Sequence, residues 1–269
     1  MRDTKWLRLR RKLGPITRRV PYGHLITGAA TYGRLLVPGL PRPSRRFVIF
    51  AQGRSGSTLL ADLLNSHPQL YCADEILTWK RRNPSRYANA CSVGHRADTY
   101  GFKVKIYQLT EAQQLDQPGL LLQQLHEQGW LLLHLHRRNV LRQALSSMVA
   151  AQRHVYHQPL GSGLLPPVPV DPGELLRQTA DRERYCQQEA LALEGLPFEP
   201  FVYEDDLLRP ESHQAAASRA FAYLGITDVP VRTQLRKIAD RPLKDAVANH
   251  QEVFAAVAAS PYAHLLQQE

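Results

Sequence analysis

The residues best suited to chemistry lie in the segment Phe47-Val48-Ile49-Phe50-Ala51-Gln52-Gly53-Arg54-Ser55-Gly56-Ser57-Thr58-Leu59-Leu60. Four consecutive apolar residues run into a turn bounded by Gly53 and Gly56, and a leucine-rich helical pattern follows. Glycine lets a backbone approach an anion closely, and the N–H groups of a helix start point at it with the helix dipole behind them. Ser55, Ser57 and Thr58 add hydroxyl donors, and Arg54 sets a permanent, forked cation inside the turn. A nucleotide triphosphatase loop, G-x-x-x-x-G-K-[ST], would need a lysine after Gly56 and a glycine five residues before it. Ser57 and Ala51 occupy those places. The segment therefore reads as an oxyanion cradle not built for metal-assisted triphosphate chemistry.

Positioning such a cradle takes an open, mainly parallel sheet. Further strands are predicted at 100–107, 130–136 and 200–203, and helices at 58–64, 119–128, 141–152, 174–193, 212–224 and 249–259, with Asn249 as an N-cap. Strands alternating with helices predict an α/β, three-layer fold whose mainly parallel central sheet is flanked by helices. Residues 158–173, with five prolines and three glycines, read as a loop or lid.

The chain has 269 residues, enough for one large domain, here 45–269, preceded by a basic arm over 1–44. Its formal net charge of +10 suggests nucleic acid until it is located. Residues 1–46 hold 12 Lys or Arg and one acid, and the other 22 basic and 23 acidic residues leave the body about neutral. That is not the footprint of a duplex-binding domain, and no nucleic-acid partner is expected. In the arm, Trp6, Leu9, Leu13 and Ile16 recur among arginines. They suit a peripheral membrane or lipid-acceptor contact, the alternative being an arm packed on the domain. Three cysteines are too few for a disulfide framework, and no apolar run reaches the ~20 residues of a membrane helix. A cytoplasmic protein is the expectation.

The loop with its R-S-G-S-T core resembles the 5′-phosphosulfate-binding loop of sulfotransferases that use 3′-phosphoadenosine-5′-phosphosulfate (PAPS), especially the carbohydrate and bacterial glycan branches. The resemblance extends over about residues 46–260 and implies a P-loop-like α/β fold. It implies a 5′-phosphosulfate on Gly53, Arg54, Ser55, Gly56, Ser57 and Thr58. A 3′-phosphate would be held by an arginine after a strand and a serine eight residues on. Arg138 and Ser146 have that separation, and Arg137 is the neighbour that confuses the assignment. Transfer to a hydroxyl needs a base and cations on the departing oxygen. Glu75, after the His67-Pro68 turn, is the implied general base, with Asp74 adjacent. Arg54 and Lys103 of the Gly101-Phe102-Lys103 run are the implied cations, with Lys105 on the same strand face. Tyr203, in Tyr203-Glu204-Asp205, would line the nucleotide site, and Arg236, Lys237, Arg241 and Lys244 would supply further phosphate contacts. In the cytosolic branch the base is a histidine, for which His95, His134 and His136 are the candidates. The implied acceptor is a glycan or lipid hydroxyl, with no metal. A small-molecule kinase and a non-catalytic basic binding protein are the alternatives.

Overall fold

A computed structural model describes residues 23–153, 158–159, 166–233, 235–236 and 243–267. The first helix, α1 (Gly23–Gly33), precedes β1 (Arg45–Ala51), α2 (Ser57–Leu64), β2 (Leu70–Glu75) and α3 (Pro84–Ser92). Then come β3 (Thr99–Val104), α4 (Pro118–Glu127), β4 (Trp130–His136), α5 (Val140–Arg153) and β5 (Gln158–Pro159). Next are α6 (Pro172–Ala192), β6 (Glu199–Val202), α7 (His213–Leu224), β7 (Leu235–Arg236), α8 (Leu243–Ala246) and α9 (His250–Ala258).

Five strands form one sheet in the order β2-β3-β1-β4-β6, and every neighbouring pair is parallel. Continuous apolar strands are what a sheet covered on both faces requires. Along β1, Phe47, Ile49 and Ala51 pack with α2 and α7 residues such as Leu60, Leu64, Ala217 and Phe221. Val48 and Phe50 face the other way, against Leu121, Leu122 and Leu125 of α4 and Ala192 of α6. Gly101 of β3 lies beside Phe47, and a Cβ there would stand 2.2 Å from the Phe47 ring. The glycine thus lets a large side chain lie flat across the strand beside it. A third cluster joins α5, α6 and α9 through Leu141, Leu145, Leu175, Val253 and Val257.

The strand order places a topological switch at β1. The chain leaves β1 toward β2 and β3 on one side, and crosses after β3 to β4 on the other. In open α/β sheets, ligands bind beyond the strand C-termini at such a point. The turn at 52–56 stands there.

Several expectations shift. β2 and α3 fall where the sequence reading had only a turn after His67-Pro68, because Leu70, Cys72 and Ala73 alternate too briefly to signal a strand. The predicted strand at 100–107 stops at Val104, and a π-helical turn over Gln108–Ala112 follows it, closed by Gln113 N donating to Gln108 O at 2.8 Å. Asn249 is the N-cap residue of α9, but its side chain makes no capping bond. Its side chain is spent on Val170, accepting from the N–H and donating to the carbonyl, both at 2.9 Å. Within 23–44, α1 packs on α3. Residues 1–22 of the expected arm, residues 160–165 of the expected 158–173 loop, Lys237 and Arg241 lie outside the described residues.

Candidate active site

The turn between β1 and α2 holds its own shape. Ser55 is fully buried and its hydroxyl donates to Gln52 O at 2.7 Å. Gly53 O accepts from Gln143 Nε2 at 2.8 Å and from Arg182 Nη1 at 3.4 Å. Arg54 O accepts from Arg137 Nη1 at 3.4 Å, and Gly56 O accepts the first helical bond, from Leu60 N, at 3.0 Å. With these carbonyls occupied by donors inside the protein, the first N–H groups of α2 remain for a ligand, having no partner within the helix. Ser55 therefore departs from its expected use: its hydroxyl fastens the turn.

Two residues carry the strain of the bend. Gly56 has φ 94°, and a Cβ there would meet Tyr203 Cδ2 at 2.8 Å and Leu207 Cδ1 at 3.1 Å. Arg54 has φ 66°, a left-handed conformation that costs a non-glycine residue about 1 kcal/mol or more. The bend aims its side chain at α5, where Nε donates to Ser146 Oγ at 3.1 Å.

On one flank, β2 and β3 end beside the turn. Lys103, buried, donates to Thr58 Oγ1 at 3.0 Å and pairs with Asp74 Oδ1 at 2.8 Å. Lys105, just beyond β3, pairs with Glu75 Oε1 at 2.7 Å. Gln108 Nε2 donates to Glu75 Oε2 at 2.9 Å, while its Oε1 accepts from Lys105 N at 3.0 Å. One buried amide thus fixes both the carboxylate and the backbone of its partner. Burial pushes the Lys105 ammonium down, but Tyr107 and the Glu75 carboxylate outweigh it and hold the group above its ordinary range. For Asp74, partial desolvation pushes upward and the Lys103 ammonium outweighs it, holding the carboxyl below its ordinary range. The two lysines, indistinguishable in the sequence, are distinct here: Lys103 serves Thr58 and Asp74, Lys105 serves Glu75.

On the other flank, β4 ends at His136 and the next two residues diverge. Arg137 turns inward with its side chain 9% exposed and its guanidinium 4.5 Å from the Tyr203 ring centre. Its Nε is buried without a hydrogen-bond partner, 3.7 Å from Glu204 Oε1. Burial lowers the affinity of this guanidinium for its proton, against the pull of Tyr203 and Glu204. Arg138 turns outward, its side chain 51% exposed and paired with Asp205. The expected pocket of Arg138 with Ser146 is therefore not assembled by direct contact: Ser146 faces Arg54, and Asp205 holds Arg138. Glu204 caps the start of α5, accepting from Arg138 N at 3.0 Å and Asn139 N at 3.2 Å. Tyr203–Leu207 is a second π-helical turn, closed by Leu208 N on Tyr203 O at 2.7 Å. A cavity of about 520 Å³ opens beside Arg137 and Arg138, lined also by His136, Cys186 and His264.

The histidine candidates sit elsewhere. His95 stacks on Tyr71 and lies tilted against Tyr100, both 4.8 Å away, at the strand N-termini opposite the turn. His134 stacks on His136, with ring centres 5.7 Å apart, and lies 3.6 Å from buried Glu189, which accepts from Gln52 Nε2 at 3.3 Å. Among the described residues no group of three His, Cys, Asp or Glu is placed to hold a metal ion. Of the further basic candidates, Arg236 lies in β7 and Lys244 in α8. Sequence reasoning missed Gln108, Gln143 and Arg182. Only Gln143 carried a signal, standing one helical turn from Ser146 on the same face.

No family model matches the chain, and no curated protein matches it. Among solved structures it is similar to a sulfotransferase from Alicyclobacillus acidocaldarius at 14% identity, with a TM-score of 0.49, over 85% of this chain and 95% of that chain.

Proposed function

We propose that the chain is a sulfotransferase taking a sulfuryl group from PAPS to the hydroxyl of a glycan or lipid-linked acceptor. The observation that carries this reading is the turn itself: an oxyanion cradle at the switch point in which the cation, Arg54, is part of the loop and no lysine follows Gly56.

The residues present fit a doubly phosphorylated nucleotide. The helix start, Ser57 and Thr58 suit a 5′-phosphosulfate, since the neighbouring carbonyls are already taken. For the second phosphate the resemblance points to Arg138 and Ser146. The unpartnered, buried Nε of Arg137 supports the inner guanidinium as a further ligand. Tyr203, fixed between Gly56 and Arg137, suits a place at the nucleotide's edge. PAPS supplies an activated sulfuryl group, whose bond to the bridging oxygen breaks as the acceptor oxygen bonds to sulfur.

The chain's part is to receive a proton and to neutralise charge. Glu75 takes the acceptor proton. Its oxygens each accept one hydrogen bond, from Lys105 and Gln108, and a carboxylate has about four acceptor sites, so room for an acceptor hydroxyl remains. Arg54 and Lys103 stabilise the charge that gathers on the departing phosphate, without a metal. The acceptor class rests on the resemblance of the R-S-G-S-T loop and Glu75 to the glycan branch.

Calorimetric titration tests the reading directly. Adenosine 3′,5′-bisphosphate should bind without magnesium and ATP should not compete. Preferential, magnesium-dependent binding of ATP would replace the sulfotransferase reading with a kinase.

A further inference from the structure

Gly53 and Gly56 bound the same turn for different reasons. Gly56 is left-handed, whereas the φ of Gly53 lies outside that range, so backbone strain does not call for glycine at 53. Space does. A Cβ on Gly53 would stand 2.9 Å from the Tyr107 hydroxyl and 3.8 Å from Lys105 Nζ. Residue 53 thus leaves room for a phenol that reaches the turn from the β3 flank.

The phenol is held firmly in that place. β3 stops at Val104, and Lys105 O accepts from Gln108 N at 3.0 Å and from Leu109 N at 3.3 Å, so the chain doubles back at once. Ile106 and Leu109 are fully buried in the core, while Lys105 and Tyr107 keep part of their surface at the C-terminal edge of the sheet. Tyr185 of α6 packs on the Tyr107 ring with centres 5.5 Å apart, and its hydroxyl donates to Glu111 Oε1 at 3.1 Å. Lys105 Nζ lies 5.4 Å from the Tyr107 ring centre and hydrogen-bonds the phenol. An ammonium has donors only, so the phenol oxygen accepts from Lys105 and its own proton is left to donate. The carbonyls of the turn are already served: Gln52 O by Ser55, Gly53 O by Gln143 and Arg182, Arg54 O by Arg137. An anion in the turn would supply the acceptor that the phenol lacks there.

We propose that the Tyr107 hydroxyl is a direct ligand of the oxyanion held in the turn, and that residue 53 is glycine to admit this contact. The inference rests on the anion cradle of the proposed function, but not on the group transferred. Lys105 is committed to Glu75 at 2.7 Å, so the phenol carries its charge onward: the ammonium behind the oxygen polarises the O–H and strengthens its donation. Glu75, Lys105, Tyr107 and the anion then form one hydrogen-bonded chain. Under the proposed function this chain sets the base and the phosphosulfate it must face in a single register, with Tyr107 as ligand and Lys105 as positioning residue.

Calorimetric titration of the full chain with adenosine 3′,5′-bisphosphate provides the test. Tyr107→Phe keeps the ring and its packing on Tyr185 and removes only the hydroxyl. Affinity should fall roughly 10- to 100-fold, the worth of a hydrogen bond to a charged group, with the melting curve unaltered. Gly53→Ala should displace the same hydroxyl and cost a similar factor in the wild type, yet add little in the Tyr107→Phe background. Wild-type affinity in the folded Tyr107→Phe variant would overturn the proposal, and would move the phenol to the acceptor side if the KM for acceptor rose instead. Losses from the two substitutions that simply multiply would also overturn it, because the glycine would then serve the anion and not the phenol. If the wild type binds magnesium ATP in place of the bisphosphate, the sulfuryl-transfer reading fails, and the same variants titrated with ATP decide the role of Tyr107. Binding of neither nucleotide would overturn both.

Discussion

The two flanks of the turn are built alike and charged differently. Each ends in a π-helical turn, Gln108–Ala112 after β3 and Tyr203–Leu207 after β6, a feature frequent at functional sites. On the β2–β3 flank each lysine has its own carboxylate within 2.8 Å, and Gln108 locks one pair in place. On the β4–β6 flank one arginine is buried, its Nε 3.7 Å from Glu204 Oε1 and without a hydrogen bond, and the next is exposed against Asp205. A paired, hydrogen-bonded carboxylate is suited to moving a proton in a fixed direction. A buried guanidinium with a spare donor is suited to receiving an anion. Under the proposed function, the proton chemistry would fall to one flank and much of the ligand charge to the other.

Glu75→Gln breaks the comparison most sharply. Turnover should fall by roughly 10²–10⁴-fold, the usual worth of general acid–base catalysis, while calorimetric affinity for adenosine 3′,5′-bisphosphate holds. Lost nucleotide affinity instead would make Glu75 a ligand of the other flank's kind. Arg138→Ala should then weaken that affinity by about 1.5–3 kcal/mol, the value of a charged hydrogen bond. If Arg138→Ala is silent and Arg137→Ala is not, the phosphate sits on the inner guanidinium.

A smaller loss is expected from Gly56→Ala, which places a methyl 2.8 Å from Tyr203 at φ 94°. Thermal unfolding should show about 1–3 kcal/mol less stability, and nucleotide binding should weaken with it. Gln108→Leu frees the Glu75 carboxylate and the Lys105 backbone that this amide holds, so kcat should fall while affinity for adenosine 3′,5′-bisphosphate is kept. Unchanged kcat with only a lower melting point would reduce Gln108 to a packing role.

The weakest effect concerns His136, whose pKa is lowered by burial first and by His134 second. The unfolded chain then takes up this proton before the folded one. Stability is lost as pH falls below about 6.5 toward the folded value, and is intact above it. His136→Gln should flatten the melting temperature over that interval.

Much of the site was legible in sequence because it is local. The turn from Gly53 to Thr58 needs a strand, two glycines and a helix start, all signalled within twenty residues, and β4 follows from the apolar run at 130–135. Lys103 and Glu75 were readable as candidates through resemblance, but not as members of separate ion pairs. That division depends on β2 lying at the sheet edge beside β3, and β2 was too short to be read. Gln108 and Arg182 had no signal, since each acts on a partner brought to it by the fold.

By itself, the order of residues determined the α/β architecture, the cradle and the concentration of charge in the first 46 positions, since periodicity, glycine and net charge act over short stretches of chain. Tertiary structure alone decided that Arg137 faces inward and Arg138 outward, that Ser55 secures the turn, and which lysine meets which carboxylate. Those outcomes depend on strand order and on where β4 stops, and neighbouring residues of one type carry no mark of the side on which they will be buried.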